Sequence, residues 1–147
     1  MTTETILARL RLFLFCVSGG MFGATVIELW FNEHMESLVQ LIPFGLCGLG
    51  LLMVALVLGY PRRVTLLAVR VSMVVIAAGS LFGLYEHLSG NLGFELEIHP
   101  AATLAEALPA VLGGAAPLLA PGILALAALL ALAATYYHPA LNRINER

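Results

Sequence analysis

The chain has 147 residues, of which 61% are hydrophobic and only 11% are charged. Soluble domains average about 45–50% apolar and about 25% charged residues, and the mean hydropathy of this chain, +0.97, lies far above their range. The composition excludes a disordered chain, a nucleic-acid-binding protein and a cytosolic enzyme. The length is typical of one domain.

Four apolar segments are long enough to cross a bilayer, which takes about 20 helical residues. They run over about 12–31, 38–60, 64–88 and 115–137. The first apolar run is longer than the core of a signal peptide, about 7–15 residues, which favours a membrane anchor. The sequence therefore predicts an all-α integral membrane protein, a single domain over 1–147 built as a bundle of four transmembrane helices.

The arginines indicate the orientation of this bundle. Alternating spans place the N-terminus, the turn at 61–63 and the C-terminus on one side of the membrane. That side carries Arg9, Arg11, Arg62, Arg63, Arg143 and Arg147, and Arg70 lies nearest to it. Because Lys and Arg concentrate in cytoplasmic loops, we expect a cell or inner membrane protein with both termini in the cytoplasm. Seven of the nine glutamates then form an acidic outer face.

The spacing of prolines indicates an internal repeat. Pro43 and Pro61 bracket the second apolar segment, and Pro121 and Pro139 bracket the fourth at the same separation. We interpret this pattern as a tandem repeat of two helix hairpins. The alternative is that apolar segments with prolines at their ends resemble one another by chance.

The predicted outer loop covers about 89–115. Residues 94–99 alternate apolar and polar side chains, a period typical of a half-buried strand, so we predict a short extended segment there. Thr103 and Glu106 fit a capping box, which predicts a short helix over about 104–112 that ends at Gly113. We expect this loop to fold over the outer end of the bundle.

Glutamates and histidines concentrate in the predicted outer half of the chain. Carboxylate and imidazole suit divalent transition metals, and crowded carboxylates also hold protons. The candidate site residues are Glu28, Glu33, His34, Glu86, His87, Glu95, Glu97 and His99. Their spacing matches no known ligand motif, so a solvated acidic rim is the alternative. The sequence predicts no catalytic residue, and a divalent metal is the candidate cofactor.

Glycines and arginines suggest two further roles. Small residues let helices approach closely in a membrane, so we expect helix packing, within one chain or between chains, at Gly19, Gly23, Gly45, Gly48, Gly79 and Gly83. We expect Arg62, Arg63 and Arg70 to reach lipid headgroups, Arg70 by extending its side chain toward the interface.

Three functions remain open at this level. Because no catalytic motif is present, a non-enzymatic accessory subunit is favoured, one that contacts lipid and self-associates or joins a larger membrane complex. The second is binding or transport of a cation or proton through the outer Glu/His set. The third is a metal-dependent membrane enzyme acting at the outer face on lipid or quinone.

Overall fold

A computed structural model describes residues 2–142, which form six helices and no β-strand. The helices are α1 Thr3–Phe31, α2 Leu38–Gly59, α3 Arg63–Ile98, α4 Leu104–Leu112, α5 Leu119–Ala134 and α6 Pro139–Asn142. The prediction of an all-α chain is confirmed. Helices α1, α2 and α3 are long and apolar enough to cross a membrane, whereas α5 is apolar but shorter, with 16 residues. Arg143 and Arg147, two of the arginines expected on the cytoplasmic side, lie outside the described residues.

The bundle is a ring of four helices in the order α1, α2, α3, α5. Helices α2 and α5 each contact both α1 and α3, and they also touch one another across the centre. Helix α5 contributes only small side chains at its most buried positions, which are Ala127, Ala128, Ala131 and Ala134. Such residues let backbones approach closely, so α5 fits between α1 and α3.

Two serine hydroxyls link α5 to its neighbours. Ser18 of α1 donates a hydrogen bond to the carbonyl of Ala127 at 2.8 Å, and Ser80 of α3 donates to the carbonyl of Pro121. Both serines are buried. Because a buried hydroxyl without a partner is costly, these bonds fix the depth of α5 within the ring.

Two arginines from other helices bind the turn that follows α5, residues 135–137. Arg11 of α1 donates to the carbonyl of Tyr137 at 2.7 Å. Arg70 of α3 donates from Nε to Oγ1 of Thr135 at 2.9 Å and from Nη2 to the Thr135 carbonyl at 3.3 Å. Arg70 is therefore held inside the bundle by its Nε and Nη2 groups.

The predicted extended segment at 94–99 is wrong, because α3 continues as a helix to Ile98. Each residue added to an existing helix gains a hydrogen bond without a new nucleation cost, and the alternation covers only six positions. Glu95 and His99 pair one turn apart at 2.9 Å. The helix ends where Pro100 disfavours helical geometry at the residue before it.

Other helix boundaries follow their capping residues. The short helix predicted at 104–112 is confirmed as α4, with both bonds of the Thr103–Glu106 capping box and its C-cap at Gly113. These bonds from Thr103 to the carboxylate lower the pKa of Glu106. Helix α1 begins at Thr3, nine residues before the predicted apolar segment. The Thr2 hydroxyl caps the first turn and stabilises this more polar N-terminal part of the helix.

Three of the six glycines expected at helix contacts lie against a neighbouring helix. A Cβ atom placed on Gly79 would lie 2.5 Å from Leu46, and one on Gly19 would lie 3.3 Å from Val54. At Gly83 the Cβ would reach ordinary contact, 3.5 Å from Pro121.

The other three glycines face away from the bundle interior. A Cβ atom on Gly23, Gly45 or Gly48 would have no described atom of another helix within 4 Å. The tight contact on α2 is instead at Gly50, where a Cβ would lie 2.6 Å from the ring of Phe22. Packing within the chain therefore uses the face of α2 that carries Gly50, and a contact of Gly45 and Gly48 with another chain stays a prediction.

Candidate functional site

A cavity of about 750 Å³ opens at the end of the bundle opposite to the Arg11–Arg70 end. It is bounded by α1, the turn at 32–37, α2, α3, the segment that leads into α5 and the first turns of α5 itself. Most of its wall is apolar and includes Val39, Ile42, Leu46, Phe82 and Leu124. The volume is typical of small-molecule sites, which range over about 300–1,000 Å³.

Four of the candidate residues line this cavity, which we name the Glu/His cavity. They are Glu28, His34, Glu86 and His87. Glu28 lies in the last turn of α1 and His34 in the turn that follows it. Glu86 and His87 lie on α3, about 24 Å along the helix from Arg70 at a rise of about 1.5 Å per residue. The hairpin and the ring packing bring these positions together.

Several polar groups in the wall are already bonded within the chain. The Thr25 hydroxyl donates to the carbonyl of Met21, and Oε1 of Gln40 accepts from the backbone N–H groups of Glu36 and Ser37. By contrast, the carboxylates of Glu28 and Glu86 make no hydrogen bond or ion pair with any residue that the structure describes. Glu86 is half-buried and Glu28 is exposed. The cavity therefore presents two carboxylates with free acceptor oxygens beside an apolar wall.

The two histidines form a pair across the mouth of the cavity. Their ring centroids lie 6.5 Å apart. Nδ1 of His87 lies 2.9 Å from the carbonyl of Pro117. A carbonyl only accepts, so this nitrogen carries the proton, and Nε2 is the acceptor in the neutral ring. Burial lowers the pKa of His34, and its proximity to His87 lowers it further. His34 is therefore neutral at pH 7.

The other four candidates lie outside the cavity. Glu33 is exposed in the turn after α1, and Glu97 is exposed on the far end of α3. Glu95 and His99 bond to one another on that same end. Within residues 2–142, no three His, Cys, Asp or Glu side chains are grouped so that they could hold a metal ion.

Sequence reasoning missed Asn91, which does not line the cavity but holds in place a segment that does. This buried side chain donates from Nδ2 to the carbonyls of Val111 at 2.9 Å and Ala116 at 3.0 Å, and its Oδ1 accepts from the Ala116 N–H at 3.0 Å. It thereby holds the segment after α4 against α3, and Ala116 and Pro117 of that segment line the cavity. No local signal marks Asn91, which stands among other polar residues, and its partners lie 20 and 25 residues away.

Comparison with protein-family models, with curated proteins and with solved structures finds no match for the chain.

Proposed function

We propose that the protein is an integral membrane protein in which α1, α2, α3 and α5 all cross the bilayer, with both termini in the cytoplasm. Two observations support this placement. Helix α5 lies beside α1 and α3 in the ring and has no charged residue, and its 16 residues span about 24 Å. Large apolar side chains such as Phe13, Val71, Leu81 and Leu129 are exposed on the outside of the ring, as lipid contact requires.

Labelling of single cysteines with a membrane-impermeant maleimide tests this topology. Cys16 and Cys47 are first replaced by alanine. A cysteine is then introduced at one of three exposed positions: Arg62 or Ala101, which lie between helices, or Pro139, the first residue of α6. We expect Ala101→Cys to react in intact cells, and Arg62→Cys and Pro139→Cys to react only after permeabilisation. Reaction of Pro139→Cys together with Ala101→Cys would show that α5 does not cross.

We infer further that the protein is a non-enzymatic binding protein for a small organic cation with an apolar body. The observation that carries this conclusion is the pair of unbonded carboxylates, Glu28 and Glu86, beside a 750 Å³ apolar cavity. A cationic head placed between the carboxylates forms charge-assisted interactions, while the body covers apolar surface. Neutral His34 adds no repulsion.

A bare metal ion suits this arrangement less well than an organic cation. A transition metal takes about four or more donors at close to 2 Å, and the carboxylates and imidazoles here surround a space large enough for a whole organic molecule. The apolar wall would contribute nothing to the binding of an inorganic ion. When an organic cation binds, each Å² of apolar surface removed from water contributes about 25 cal/mol to the binding free energy.

Equilibrium dialysis of the detergent-solubilised protein tests this function with two probes of the same shape and opposite charge. We expect tetraphenylphosphonium to bind above a micelle-only control and tetraphenylborate not to do so. Glu86→Gln should weaken cation binding about tenfold, the effect of losing about 1.4 kcal/mol of charge-assisted interaction. Glu97→Gln, which removes the same charge from α3 outside the cavity, should leave it unchanged. Equal binding of both probes, or equal loss in both variants, would refute the proposal.

The affinity should also depend on pH through His34. Because the pKa of His34 is lowered from 6.5, the ring stays neutral at pH 7 and gains a proton only in more acidic solution. A protonated ring repels a bound cation, so affinity should be constant between pH 8 and 7 and should fall as the solution becomes more acidic. His34→Gln removes the titrating ring, so the affinity of this variant should fall less in acidic solution than that of the wild type. An identical pH profile for both proteins would remove His34 from the site.

A further inference from the structure

A second, smaller cleft lies at the opposite end of the bundle. It has a volume of about 380 Å³ and is lined by Arg63, Leu67, Arg70, Tyr136, Tyr137 and Leu141. We name it the arginine cleft. It contains two guanidinium groups, two phenols and two leucines, and no carboxylate from residues 2–142 lines it. Its chemistry is therefore opposite to that of the Glu/His cavity.

The helical geometry of α3 directs both arginines into the same space. Positions 63, 67 and 70 are four and three residues apart, so they share one face of the helix. Side chains of a helix point toward its N-terminus, so Arg70 extends toward the level of Arg63. The half-buried Arg70 is fixed by its two bonds to Thr135. A guanidinium has five N–H donors, so three of those on Arg70 remain for a ligand.

Neither arginine has its charge neutralised within the described part of the chain. Arg70 bonds only to a hydroxyl and a carbonyl of Thr135, and Arg63 makes no ion pair with any residue from 2 to 142. The wall opposite is formed by Tyr136 and Tyr137, whose rings pack edge to face with centroids 4.7 Å apart. A left-handed backbone at Tyr137, with φ of 48°, places both rings on this end.

We propose that the arginine cleft binds the phosphate group of an anionic phospholipid from the cytoplasmic leaflet. The planar guanidinium matches phosphate oxygens in paired hydrogen bonds, and tyrosine favours the membrane interface. Leu67 and Leu141 then contact the glycerol and the first carbons of the acyl chains. This proposal concerns a different site from the cation cavity, and it rests on the membrane placement proposed above.

Native mass spectrometry of the full-length protein in mild detergent tests the site. Phosphatidylglycerol and phosphatidylcholine with identical acyl chains are titrated separately, and the fraction of lipid-bound protein is measured. We expect phosphatidylglycerol to bind preferentially and Arg63→Gln to weaken its binding about tenfold. Arg62→Gln is the matched control, because it removes the same charge one residue away but Arg62 does not line the cleft. It should change binding less than twofold.

Three results would overturn the proposal. Equal losses in Arg62→Gln and Arg63→Gln would mean that lipid responds to the general charge of this end rather than to the cleft. Equal binding of both lipids would exclude recognition of net negative charge. Displacement of the lipid by 10 mM inorganic phosphate, on the order of a millimolar affinity, would indicate a site for free phosphate. Arg63 is exposed and its side chain makes no hydrogen bond or ion pair with residues 2–142, so its variant separates lipid binding from stability. The cysteine-labelling experiment tests the membrane placement separately.

Discussion

Replacing Gly50 with alanine is expected to destabilise the protein by about 1–3 kcal/mol, the usual cost of overpacking a filled core. The new Cβ would lie 2.6–2.7 Å from three atoms of the Phe22 ring. That ring is fully buried, with 0% of its area exposed, so it cannot move aside without displacing other core side chains. The free energy of unfolding in detergent, measured by titration with a denaturing detergent, checks this expectation.

Gly48→Ala is the matched control for this experiment. It makes the same chemical change two residues away on α2, where the Cβ would have no neighbouring atom within 4 Å. Its stability should equal that of the wild type or rise slightly, because alanine favours helix more than glycine. If both variants lose the same stability, the contact between α1 and α2 does not use the face that carries Gly50.

Replacing Asn91 with alanine is expected to destabilise the protein by about 2 kcal/mol, because it leaves buried backbone groups unpaired. The groups affected are the carbonyls of Val111 and Ala116 and the N–H of Ala116. Hydrogen exchange should show the effect locally, as faster exchange of the Ala116 amide and its neighbours. Because this segment forms a wall of the Glu/His cavity, cation binding should weaken as well.

Asn32→Ala provides the comparison. The Asn32 amide also donates to a backbone carbonyl, that of Glu28, but it lies on the exposed turn after α1. Its loss should cost less than about 0.5 kcal/mol, as for most surface substitutions. Normal protection of the Ala116 amide in Asn91→Ala would contradict the role given to Asn91.

The sequence was sufficient to predict the helical class and the capping of single helices. It was not sufficient to predict which face of each helix packs against its neighbours. Capping at Thr103 depends on residues three positions apart, so it could be read directly. Helix α2 is apolar on all sides, because lipid and protein core favour the same side chains. Gly48 and Gly50 differ by about 200° around the helix at 100° per residue, and nothing local indicates which of them faces inward.

The residues of the Glu/His cavity come from distant parts of the chain, so the sequence alone could not predict which of them lie together. Glu28 and His34 lie more than 50 residues before Glu86 and His87. Their approach follows from the ring, in which α1 and α3 both pack against α2 and α5. The helical continuation of α3 carries Glu95, Glu97 and His99 away from the cavity. The tandem repeat stays a prediction, and so does assembly with other chains, for which Gly45 and Gly48 present an uncovered face of α2.

Nuclear magnetic resonance of the four histidine rings tests the binding of a cation in the Glu/His cavity most directly. His34 and His87 line the cavity, whereas His99 and His138 do not, so the second pair is an internal control. With histidine labelled isotopically, titration with tetraphenylphosphonium at pH 7.5 should shift the ring signals of His34 and His87 saturably and leave those of His99 and His138 in place. Equal shifts of all four rings, or none at saturating probe, would contradict the proposed site.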